Sequence, residues 1–85
     1  MTLEERLIDA GYEGAVMIDG YDDAAVGISE EGRVIYDYYK MIDCLVERDG
    51  MTEDEASEWI DYNTVRSLPY LGKEAPIILY HLLEE

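Results

Sequence analysis

The apolar residues of this chain change period three times, and that succession limits the fold more than any other feature of the sequence. Leu3, Leu7, Ile8 and Ala10 follow a helical spacing. Short apolar runs of the extended kind come next, at residues 15–18 (AVMI), 24–28 (AAVGI) and 33–36 (RVIY), separated by Gly, Asp and Glu. Tyr38, Met41, Ile42, Leu45 and Val46 return to three- and four-residue steps, and Ala56, Trp59, Ile60 and Asn63 line one face of a further helix. Residues 75–83 (APIILYHLL) read as a last strand, with Pro76 near its start, where a strand tolerates proline. Helix, three strands, two helices and a strand is the order of an α+β domain. The expectation is a small antiparallel sheet of three to four strands packed against three helices, in the order α-β-β-β-α-α-β. It forms one compact domain over residues 1–85, with no linker.

Local signals support the boundaries. Thr2 and Glu5 have the spacing of a capping box, as do Thr52 and Glu55, and Met51 can pack on Ala56 as a hydrophobic staple. Asp37 is placed to cap the second helix, while Gly11 and Gly50 are placed to stop the first and second. Ser29 to Gly32 forms a tight loop, which predicts an antiparallel hairpin between the second and third apolar runs. The third helix is expected to stop or turn before Pro69, because Leu68 is biased out of the helical region.

Charge decides the class of partner. Six Lys and Arg stand against 21 Asp and Glu, a formal net charge of -15. Direct binding to nucleic acid is excluded on that ground, since it needs cations to displace counterions along the phosphates, and membrane-surface helices are disfavoured for the same reason. Disorder is excluded too, because 48% of the residues are hydrophobic and 11% aromatic. A single cysteine, Cys44, rules out an intrachain disulfide and points to a reducing setting. The N-terminus reads as neither a secretory signal nor a membrane span, so a cytoplasmic location is expected.

Signatures of catalysis are sparse. His81 has no Asp, Ser or Cys beside it in sequence, and Cys44 reads as a small buried hydrophobe. The acidic stretches at 19–23 and 49–55 miss the calcium-loop pattern: counted from Glu47, Thr52 stands where glycine is required. No glycine-rich phosphate loop is present, so no cofactor is expected. Surface chemistry remains. Asp22, Asp23, Glu30 and Glu31 flank the hairpin, while Glu53, Asp54, Glu55, Glu58 and Asp61 crowd the third helix. Tyr21, Tyr38, Tyr39 and Tyr62 are interleaved with them, in a chain with eight Tyr, one Trp and no Phe.

Residues 1–28, 29–50 and 51–85 carry -6, -3 and -6, so the acidity belongs to the folded body and not to a tail. Carboxylates with hydrogen-bonding rings between them imitate the charge array of a nucleic-acid backbone. The partner for such a surface is a Lys/Arg groove on another protein. The competing readings are a solubility face, or a small regulatory or structural module that pairs through Ile77 to Leu82, as in a homodimer. For Asn63 and Thr64 a structural reading competes, in which they end the third helix while Arg66 pairs with an acid such as Asp61.

The segments 34–41 (VIYDYYKM), 58–70 (EWIDYNTVRSLPY) and 75–78 (APII) resemble a family of small acidic proteins encoded in bacterial prophages and mobile elements. The resemblance covers most of the chain and transfers no catalytic residue. It implies a genetic setting in which compact acidic proteins inhibit host defence nucleases, as anti-CRISPR proteins do by occupying the nucleic-acid channel of a CRISPR effector. One departure stands out: the family pattern places an acid where Tyr39 stands here.

Overall fold

The computed structural model describes residues 2–82. Helix α1 (Leu3–Asp9) begins on its capping box: the Thr2 hydroxyl accepts from the Glu5 amide at 3.1 Å, and the Glu5 carboxylate accepts from the Thr2 amide at 3.0 Å. Leu3 and Leu7 are its buried residues. A single 3-10 turn (Asp22–Ala24) then leads into strand β1 (Ala25–Ile28), which pairs antiparallel with β2 (Val34–Asp37) as the hairpin spacing predicts. The loop between them closes through Ser29, whose amide donates to the Arg33 carbonyl at 2.8 Å and whose hydroxyl accepts from the Arg33 amide at 3.1 Å. A bulge lies between Ala25 and Gly27, where Val26 has no place in the register.

Asp37 ends β2 and starts α2 (Tyr38–Asp49); its Oδ1 accepts from the amides of Tyr39 and Lys40 at 2.9 and 3.1 Å. Gly11 and Gly50 close α1 and α2 in the left-handed region, at φ +92° and +70°. Helix α3 (Glu53–Trp59) repeats the capping box at Thr52 and Glu55, with bonds of 3.1 and 2.9 Å. It continues as one π-helical turn (Ile60–Thr64) and then as a 3-10 run (Val65–Glu74) interrupted at Gly72, where φ is +83°. Helix α3 and its π turn thus end before Pro69, and the path goes through it only as a 3-10 run, which proline's fixed φ also suits.

Strand β3 (Ile77–Leu79) completes a three-stranded sheet of order β1-β2-β3. The α+β class holds, but two details of the predicted topology do not. Residues 15–18 form no strand; the Ile18 amide is satisfied by the Tyr36 hydroxyl at 2.8 Å and not by a ladder. The sheet is also mixed, since β3 runs parallel to β2, with Ile35 opposite Ile77 and Asp37 opposite Leu79. The helical passage between the two strands supplies the long crossover that a parallel pair requires. The last strand is shorter than the apolar run suggests, and Leu83 lies outside the described residues.

Residues of α1, β2, α2 and α3 with its π turn meet in one core, in which Tyr36, Met41, Val34 and Ile60 are the largest fully buried apolar side chains besides Pro76. Tyr21 belongs to this core at 5% exposure, so the surface role expected of its ring is not open to it. Among the described residues every buried side-chain polar atom has a hydrogen-bond partner.

Candidate functional site

The acids anticipated from the sequence fall into separate places. Asp22 and Asp23, on the 3-10 turn before β1, face Asp43 and Glu47 of α2 across an open groove of about 600 Å³, whose cations are Lys40 and Arg48. Arg48 fixes one wall: its guanidinium donates to the Gly20 carbonyl at 2.7 Å and lies 3.4 Å from where a Cβ on Gly20 would sit. Cys44 lines the groove, and burial, then the charge of Asp23, pushes its thiol above its ordinary value. Both effects disfavour the thiolate form. Among the described residues no three His, Cys, Asp or Glu side chains gather as metal ligands.

Glu30 and Glu31 stand on the hairpin loop, where Glu31 approaches Arg33 at 3.6 Å. Glu53 and Asp54 occupy the first turn of α3, where the helix dipole favours them.

A second face is chemically different. Along α3 and its π turn, Ala56, Ile60 and Thr64 point inward at four-residue steps. Trp59 and Tyr62 are left 49% and 68% exposed, beside Glu58 and Asp61. The π turn keeps this seam straight. An α-helical row at i+4 drifts by about 40° per step, and the wider π turn, closed by the Val65 amide on the Ile60 carbonyl, reverses the drift. Asp61 is held by the Tyr38 hydroxyl, which donates to its Oδ1 at 2.9 Å and meets the Ser57 hydroxyl at 2.7 Å. Burial, and then the Asp61 carboxylate, push the Tyr38 phenol up, against the opposing bond from Ser57.

Arg66 stacks its guanidinium over the Tyr62 ring, 4.7 Å from the centroid, in place of the expected pairing with Asp61. Asn63 donates to the Trp59 carbonyl at 3.1 Å without ending the helical path.

Next to this face, β3 is clamped at both ends. The Arg33 guanidinium donates to the Ala75 carbonyl at 2.7 Å just before the strand, and His81 Nε2 meets Asp37 Oδ2 at 2.5 Å just after it. Tyr39 and Tyr80 pack there as well: Tyr80 lies 4.8 Å from Tyr38 between ring centres, and Tyr39 lies 5.9 Å from His81. Burial alone pushes the Asp37 carboxyl up, but the bonds from His81 and from the Lys40 and Tyr39 amides outweigh it, and the net shift is downward. The Asp37 carboxylate thereby joins the start of α2 to the end of β3.

Of the anticipated residues, then, Glu58, Asp61 and Tyr62 come together. Asp22 and Asp23 form a separate groove, Tyr39 belongs to the β3 clamp, and Tyr21 is internal. Sequence reasoning missed Trp59 as a surface residue, because a tryptophan at helical spacing reads as core. The signal that could have found it is the four-residue step of Ala56, Ile60 and Thr64, the row the core takes in, which leaves Trp59, one position before Ile60, about 100° round the helix from it. Compared with protein-family models, curated proteins and solved structures, the chain matches none. Among the described residues no helix is long and apolar enough to cross a membrane.

Proposed function

We propose that this chain is a non-enzymatic binding protein that occupies a basic, nucleic-acid-binding surface of another protein. The class of target is a host defence nuclease such as a CRISPR effector, and the setting is the host cytoplasm. One observation carries the reading: Asp61, held by the Tyr38 hydroxyl, and Glu58 stand beside exposed Trp59 and Tyr62 on α3 and its π turn, within a folded body of charge -15. Acids steer and register a cationic partner, while Trp and Tyr in the centre of an interface supply most of its energy. The prophage-type resemblance of the sequence agrees with an inhibitory role.

The test is capture of purified CRISPR effectors and other basic nucleic-acid-binding proteins by the immobilised chain across a salt series. Binding is expected at low salt, weakening as ionic strength rises, and competition by the target's own nucleic acid is expected with it. No capture of any such protein would overturn the reading. So would a stable dimer through Ile77 to Leu82 in light scattering, which would favour a self-pairing module instead.

A further inference from the structure

The face built by Glu58, Trp59, Asp61 and Tyr62 has a geometry that suits one kind of side chain. We propose that it receives an arginine of the basic partner, and that Arg66 holds that place in the free protein. This rests on the binding role proposed above and names what the acidic surface selects.

The Tyr62 ring already carries a guanidinium, that of Arg66, 4.7 Å from its centroid, so the ring face is accessible and oriented for stacking. Glu58, Asp61, Tyr62 and Arg66 enclose an open notch of about 590 Å³. One oxygen of Asp61 is committed to the Tyr38 hydroxyl at 2.9 Å, which fixes the carboxylate and leaves the other oxygen free to accept. Arg66 forms no ion pair with either acid among the described residues, so the notch holds a stacked cation without a carboxylate partner. An incoming arginine can supply both contacts at once, its plane on Tyr62 or Trp59 and its edge donating to Asp61 and Glu58. Lysine, a compact charge with no plane to stack, satisfies only the acids.

Fluorescein-labelled nona-arginine and nona-lysine, titrated with the whole protein and followed by anisotropy at near-physiological salt, test this. Nona-arginine is expected to bind about tenfold more tightly than nona-lysine, the margin that stacking plus bidentate donation adds to equal charge. Tyr62→Leu and Asp61→Asn are expected to bring nona-arginine down to the nona-lysine level with melting temperature preserved. Arg66→Ala is expected to raise nona-arginine affinity more than Arg6→Ala does, although each removes one positive charge and Arg6 lies on α1. Equal binding of both peptides, or equal effects of the two arginine variants, would overturn the arginine site. The broader acidic-binder reading would survive that result through salt-dependent binding of both peptides. If neither peptide binds even at low salt, both readings fail.

Discussion

Helix α2 and the stretch from α3 through its π turn are both rich in acids and aromatic rings, and they turn their large side chains in opposite directions. Helix α2 buries Tyr38, Met41, Ile42 and Leu45. The α3 stretch buries Ala56, Ile60 and Thr64 and sends Trp59 and Tyr62 outward. The difference separates two uses of one composition. In α2 the Tyr38 ring and the Met41 thioether hold the fold together, and the acids Asp43 and Glu47 line a solvated groove. In α3 a seam of mostly small residues and a capping box hold the segment, leaving its rings for something else to cover.

The sharpest way to break this contrast is to truncate one large side chain on each segment. Met41→Ala, at a fully buried position, is expected to cost about 2–5 kcal/mol, whereas Trp59→Ala, at a half-exposed position, is expected to cost about 1 kcal/mol, both read from urea midpoints. A Trp59 variant as costly as the Met41 one would mean that the α3 face is core after all.

Next comes Asp37, which starts α2 and ties down β3. Asp37→Ala is expected to cost about 1–2 kcal/mol as a lost cap. The sign of its pH dependence follows from the folded-state shift, which is downward from the ordinary value of 3.8. The stabilisation is present above that value and is lost as pH falls through it toward the folded-state value. Asp37→Asn is therefore expected to flatten the acid limb of a stability-against-pH curve, and an unchanged limb would contradict the tie.

For the α3 side, Thr52→Ala removes the capping hydroxyl and is expected to cost about 1 kcal/mol in thermal denaturation. The loss should reach the exposed face through fraying of α3, seen as faster exchange of the Glu55 and Ala56 amides, which bond to Thr52, while α2 stays protected. Smallest of all is Tyr62→Ala, expected to change stability by less than about 0.5 kcal/mol. A larger loss would show that the ring supports the fold.

What could be read in advance followed the range of the interaction. Both capping boxes, the Asp37 cap, the glycine stops and the β1–β2 hairpin are set by residues a few positions apart, and each stands where the spacing places it. The parallel pairing of β3 depends on a crossover through two helices and a 3-10 run, which no local pattern encodes. Residues 15–18 have the composition of a strand, but the Ile18 amide finds the Tyr36 hydroxyl from a distant strand and needs no ladder.

The candidate site divides in the same manner. Glu58, Asp61 and Tyr62 were legible as charge and ring at helical spacing. The outward turn of Trp59 was not, since it depends on the core taking in the row of Ala56, Ile60 and Thr64 and not the face that Trp59 shares. Nor was the inward turn of Tyr21, whose burial is decided by the core it joins.

The double clamp on β3 also bears on how the chain reaches this structure. The β1–β2 hairpin is sequence-local and can close on the microsecond scale. Arg33 and Ala75 are 42 positions apart, so β3 docks only after a large loop has been closed. Until then β2 presents an unpaired edge, an invitation to pair with another chain. A three-residue strand has few backbone bonds with which to win that race, and the two side-chain ties, Arg33 on Ala75 and Asp37 on His81, act as its latch. The high negative charge, which keeps copies apart, gives the latch time to engage.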